Sequence, residues 1–145
     1  MEPLSLVLDG VSHRYPGSDR PAPLPVSASF APGEKSLVEG PIGSGKTTLL
    51  LRVAGLRDGP GRVVVGGREM KGREVASLRR GLGLLWQNPD DGLFLPGVLE
   101  DVCLGPVNDG VAGAVAEVRA RVALGAVGAA HLAAREVATL SRGER

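Results

Sequence analysis

Residues 40–48, Gly40-Pro41-Ile42-Gly43-Ser44-Gly45-Lys46-Thr47-Thr48, limit what this chain can fold into more than any other stretch. They carry the spacing of a phosphate loop: Gly, four residues, Gly-Lys, then a hydroxyl residue. Ser36-Leu37-Val38 ahead of them reads as a short buried strand, and residues 48–54 behind them read as a helix. That strand–loop–helix context is the one in which such a motif acts. Glycines at 40, 43 and 45 open backbone angles closed to other residues and let the chain approach phosphate oxygens closely. Successive backbone amides and the positive end of the following helix then favour an anion. The pattern assigns Lys46 to the β- and γ-phosphates and the Thr47 hydroxyl to Mg²⁺. A glycine-rich turn with a chance lysine is the plain alternative, and spacing together with context favours a nucleoside triphosphate site.

At 145 residues the chain is long enough for one domain and one sizeable core. With 17 basic and 16 acidic side chains its net charge is +1, so no strong field draws it to nucleic acid or to an anionic membrane. The single cysteine, Cys103, excludes an internal disulfide and fits a reducing interior, where it reads as a small buried apolar residue. Met1-Glu2-Pro3 starts neither a basic region nor an apolar run, so no signal peptide is expected. The longest nearly uncharged stretch, residues 122–134, is interrupted by Gly125, Gly128 and His131. It falls short of the ~18–20 apolar residues that span a bilayer. A soluble chain is expected, with any membrane association made through a partner.

Taken in order, residues 5–9 read as a strand, residues 12–17 as a turn, and residues 20–25, with three prolines, as a loop. Residues 26–30 form a second expected strand. Two strands joined by a proline-rich loop suggest an antiparallel layer beside a nucleotide-binding core. Beyond the phosphate loop, Gly55 ends the helix and residues 62–67 read as a β-branched strand closing in a diglycine turn. Residues 74–80 read as a short basic helix or loop, residues 82–86 as a buried strand, and residues 87–92 as a polar loop. Two helices follow at 98–104 and 111–124, separated by Gly105-Pro106. The organisation expected is an α/β nucleotide-binding core with an antiparallel layer over residues 1–86 and a helical subdomain over residues 87–145.

Four stretches, in order, resemble the ATP-binding subunit of an ABC transporter. The first is the phosphate loop, where the resemblance implies that residues 40–48, Pro41, Ile42, Ser44 and Thr48 included, hold ATP. The second is Tyr15, an aromatic after the first strand, which in this family stacks on the adenine. A turn tyrosine that packs locally is its other reading. The third is the glutamine loop at Trp86-Gln87-Asn88-Pro89-Asp90-Asp91, in which Gln87 matches the glutamine that contacts Mg²⁺ and water. The run from Gln87 to Asn108 is similar to the energy-coupling-factor branch, the cobalt, nickel and vitamin importers. Gly92 and Gly97 stand where that branch has glutamine and threonine. Asp90 and Asp91 also read simply as a solvated turn. The fourth is Leu140-Ser141-Arg142-Gly143-Glu144, similar to the ABC signature, with Arg142 in place of its first glycine. Ser141 and Gly143 of one subunit would contact the γ-phosphate bound by another, although capping a helix uses the same serine hydroxyl.

The resemblance implies a P-loop NTPase fold, an ABC ATPase core carrying an antiparallel β subdomain and a helical subdomain. It also implies ATP hydrolysis coupled to uptake, with Lys46 and Gln87 in catalytic roles and Thr47 and Gln87 at Mg²⁺. The partners implied are a second ATPase subunit, a transmembrane transporter subunit and a substrate-binding membrane protein. The place implied is the cytoplasmic face of the membrane. Family members continue past the signature with a Walker B strand, a catalytic glutamate and a switch histidine. Leu6-Val7-Leu8-Asp9 and Val98-Leu99-Glu100-Asp101 are poor substitutes for that strand, and neither His13 nor His131 lies beyond the signature. A truncated chain, inactive by itself and with the rest of the core absent, is therefore expected. The rival readings are a non-hydrolytic nucleotide-binding fragment and, more distantly, a DNA-repair type of ABC ATPase.

Overall fold

The computed structural model describes residues 4–145; Met1-Glu2-Pro3, on which the expectation about a leader rests, lie outside them. The chain forms two compact units, one reaching to Leu84 and the other Leu85–Arg145.

The first unit is built on a four-stranded antiparallel sheet in the order β2-β1-β3-β4, with β1 at Leu6–Val11, β2 at Val26–Phe30, β3 at Arg62–Val65 and β4 at Arg68–Glu69. β1 sits inside because it pairs on both edges: Leu8 faces Ala28 on one side and Val63 on the other. The β-branched run of β3 suits a pleated, half-buried surface. Leu8, Val63 and Val65 alternate onto one face, Val11 joins them past an irregularity in β1, and Leu49 of α1 (Lys46–Val53) and Leu78 of α2 (Glu74–Arg79) complete the core. Each such side chain contributes roughly 1.5–3 kcal/mol by leaving water. Gly66 and Gly67, both at positive φ, turn the chain back into β4, a strand that the sequence reading did not contain.

Two expected strands are absent. Ser36-Leu37-Val38 and residues 82–86 run without strand pairing, and Leu37 and Leu85 are 81% and 95% exposed. An extended apolar segment becomes a strand only when a neighbour completes its ladder of N–H and C=O groups. Among the described residues no strand lies beside either segment.

In the second unit, α3 spans Val98–Asn108 and α4 Gly113–Ala126, followed by two short 3₁₀ turns at Ala130–Leu132 and Val137–Thr139. Val98, Leu124, Leu132 and Leu140 form its core. α3 does not stop at residue 104 as expected but runs through Gly105-Pro106. Pro106 falls in the last turn, where its ring forfeits a single helical bond. Two carbonyls of that last turn are capped from beyond the helix, Gly105 O by Asp109 N–H at 3.1 Å and Pro106 O by Val111 N–H at 3.0 Å. At the other end Asp101 accepts from the amides of Phe94 and Leu95 at 2.7 and 2.8 Å, so it braces the approach to α3. Asp9, which ends the other stretch set against the Walker B pattern, pairs with Arg62 across the β1–β3 ladder at 2.7 Å.

Candidate functional site

The loop at 40–48 feeds straight into α1, which starts at Lys46, two residues earlier than expected. The first-turn amides of a helix have no carbonyl below them and carry the positive end of its dipole. Gly45 caps α1 in the left-handed region, at φ 94° and ψ 15°, and no side chain competes for those amides. Lys46 folds back over the loop: its Nζ donates to Gly40 O at 2.7 Å and Pro41 O at 2.9 Å. An ammonium has three donors. Two of Lys46's are spent fixing it above the loop, and the third remains for an anion seated on the amides. Ser44 N–H bonds Pro41 O at 3.2 Å and steadies the same turn, whereas Ile42 is fully exposed.

Gly45 is also a point of close approach. A Cβ there would lie 2.6 Å from Ala22 C and 2.7 Å from Pro23 Cα, so the proline-rich loop rests directly on the phosphate loop. On one side the two loops enclose a cleft of about 630 Å³ that includes Val38, Glu39 and Gly43.

On the other side Tyr15 joins Gly43, Gly45, Lys46, Thr47 and Thr48 around a cleft of about 380 Å³. The aromatic and the phosphate loop, far apart in sequence, thus border one space. Thr47 is exposed at its edge, and Thr48 is buried with its hydroxyl bonded to Tyr15 OH at 2.9 Å. The Tyr15 ring meets His13 edge-on, with centroids 4.6 Å apart and planes at 83°. Among the described residues no three His, Cys, Asp or Glu side chains cluster as a ready metal cage.

Arg52, four residues after Thr48 and on the same helix face, was missed as anything but helix. It is buried, and it donates to Arg57 O at 2.9 Å, Gly59 O at 2.8 Å and Pro60 O at 3.0 Å. Burial holds its pKa below the usual arginine value and nearby Asp58 offsets this only in part, while the guanidinium stays a cation. The sequence signal was the i,i+4 spacing from the phosphate-loop threonine.

In the second unit Gln87 is exposed in an irregular loop after Trp86, and Asp90 pairs with Arg145. Leu140 is buried in the core and anchors the segment that follows it. Ser141 and Gly143 are exposed on a turn, not at the start of a helix. A single helical bond closes there, from Arg145 N–H to Ser141 O at 3.2 Å. The turn still has capping-box chemistry: Ser141 N–H donates to Glu144 Oε2 at 2.7 Å. That bond, then the Ser141 hydroxyl, and lastly Arg135 hold the Glu144 carboxyl below its ordinary pKa. A carboxylate with a lowered folded pKa contributes its brace above the unfolded value and loses it as pH falls through the folded one. The Ser141 amide resonance should therefore hold steady at neutral pH and move only below about pH 4.3. Titration of that resonance by NMR checks this, and a midpoint above the ordinary glutamate range would refute it.

The ABC transporter family profile matches residues 24–145. Over 144 residues the chain is 42% identical to a Streptomyces coelicolor protein named "Putative ABC transporter ATP-binding protein SCO3161", covering 99% of this chain and 55% of that one. It is 36% identical over 141 residues to the "Energy-coupling factor transporter ATP-binding protein EcfA" of Methanothermobacter thermautotrophicus, covering 95% and 45% of the two. The solved structure of cbiO1 from Clostridium perfringens, part of the ABC transporter complex cbiONQ, matches with a TM-score of 0.81 at 27% identity. That match covers 96% of this chain and 56% of cbiO1. The chain spans about half the length of the curated relatives it matches.

Proposed function

The chain belongs to the ABC transporter family, and we propose that it is the ATP-binding part of an importer of the energy-coupling-factor kind, taking up a metal ion or a vitamin. The observation that carries this is the shared cleft of Tyr15, Gly43 and residues 45–48, with Lys46 fixed over the loop. Lys46 and the first-turn amides of α1 would hold the β- and γ-phosphates, and Tyr15 would lie on the base. The exposed Thr47 hydroxyl and Gln87 would serve Mg²⁺, and the ion would neutralise charge developing on the γ-phosphate. Ser141 and Gly143 would close over the phosphate held by a second ATPase subunit. No helix among the described residues is long and apolar enough to cross a membrane. Transport would thus need a transmembrane partner, with a membrane protein choosing the substrate, and the ATPase would sit on its cytoplasmic face. The similarity to EcfA and cbiO1 supports the branch.

Ser141→Arg in the full chain, assembled with its membrane partners, tests the composite site. The variant should bind Mg-ATP within about twofold of wild type while hydrolysis and uptake drop at least a hundredfold. Undiminished hydrolysis by the variant would remove Ser141 from any phosphate.

A further inference from the structure

Ser12, Thr48 and Arg52 are the buried polar or charged residues among those described. All three fall on one closed circuit of contacts behind the phosphate loop. Burying a charge is costly unless its donors are met; Arg52 offsets that cost through its two terminal nitrogens, which grip three carbonyls of the turn after α1, while its buried Nε has no hydrogen-bond partner. The gripped turn supports the exit of β1. Pro60 O accepts from Ser12 N–H at 3.1 Å, and Asp58 O lies 2.7 Å from His13 Nδ1. Gly59 packs so closely that a Cβ there would meet Ser12 O at 2.5 Å. His13 then stands edge-on to Tyr15, whose hydroxyl returns to Thr48, one turn before Arg52 on α1.

We propose that Arg52 is a positioning residue for nucleobase recognition: through the 57–60 turn and His13 it holds the Tyr15 ring at a fixed place relative to α1. This rests on the reading of Tyr15 as the base-side wall of the nucleotide site. The circuit makes the base wall and the phosphate seat parts of one rigid piece, since both are referred to the same helix. Lysine cannot replace Arg52, because a single ammonium does not span the fork of carbonyls that the guanidinium reaches with two nitrogens.

Two probes separate the halves of the site: Mg-ATP, which carries a base, and Mg-tripolyphosphate, which does not. Calorimetric titration of the full chain reads both. Arg52→Met should weaken Mg-ATP by about tenfold, the scale of one lost base–aromatic stack, and leave Mg-tripolyphosphate within twofold. Arg52→Lys should recover little of the loss. His13→Ala, which cuts the circuit without vacating a buried cation, should reproduce the pattern where Arg52→Met folds poorly. Combining Arg52→Met with Tyr15→Ala should add nothing to Tyr15→Ala alone. Equal weakening of both probes in both variants would make the circuit merely structural and overturn the proposal. So would unchanged Mg-ATP binding in both variants. If Tyr15→Ala leaves Mg-ATP untouched while Lys46→Ala abolishes it, the nucleotide reading stands and this proposal falls. If wild type binds neither probe, both fall.

Discussion

Lys46→Ala should cost about a hundredfold in Mg-ATP affinity and remove measurable uptake when the full chain is assembled with its partners. The expectation follows from what Lys46 holds. Its ammonium is tied to Gly40 O and Pro41 O at 2.7 and 2.9 Å, which keeps a positive charge over the amides of α1. A charge-assisted hydrogen bond contributes about 1.5–3 kcal/mol, and a prefixed donor loses little rotamer entropy on binding. At about 1.4 kcal/mol per decade, one such bond accounts for roughly ten- to a hundredfold. The loop's own order suffers as well, because two carbonyls lose their tether. Stability should change little, since Lys46 is only half-buried. Titration calorimetry beside thermal unfolding separates the two effects. Near wild-type affinity in the variant would mean that the loop grips its ligand by amides alone.

Gly45→Ala should be among the most disruptive single methyls in the first unit. The position combines φ 94° with a neighbouring backbone: the new Cβ would meet Pro23 N, and would sit 2.6 Å from Ala22 C and 2.7 Å from Pro23 Cα. Backbone atoms cannot swing aside as a long side chain does, so the proline-rich loop must lift off the phosphate loop. Overpacking of this kind costs about 1–3 kcal/mol, on top of roughly 1–2 kcal/mol for a left-handed residue. Gly43→Ala supplies the control. Gly43 is also at positive φ, 82°, but nothing lies within 4 Å of a Cβ there, so it should show the dihedral cost alone. Chemical denaturation of both variants should put Gly45→Ala lower by at least 1 kcal/mol. Equal losses would mean that residues 22–23 do not rest on the loop.

Much of the site was legible because it is local in the chain. The phosphate loop, its helix and its stop at Gly55 are set by residue types within about fifteen positions, and such short-range signals survive without tertiary context. β2 at Val26–Phe30 was legible for the same reason, as a short run between a proline-rich loop and the turn at residues 31–34. Ser36-Leu37-Val38 and residues 82–86 carried an equally good strand pattern and formed no strand. Periodicity reports a capacity to pair, and only a neighbour realises it. α3 failed in the opposite sense. Pro106 reads as a breaker in isolation, but it stands where a helix can spare one bond and where residues 109–111 cap the carbonyls.

The chain's letters alone determined that a glycine-rich turn with the phosphate-loop spacing opens a helix and that an aromatic precedes it by about thirty residues. They carried no account of where Tyr15 would lie, because its place depends on a hydroxyl at 48, a ring at 13 and a turn at 57–60. Nor did they reveal Arg52 as the residue gripping that turn. A buried cation and the carbonyls that satisfy it become partners only when folding removes the water that would otherwise serve both. Local backbone preference is written residue by residue, whereas desolvation belongs to the packed whole.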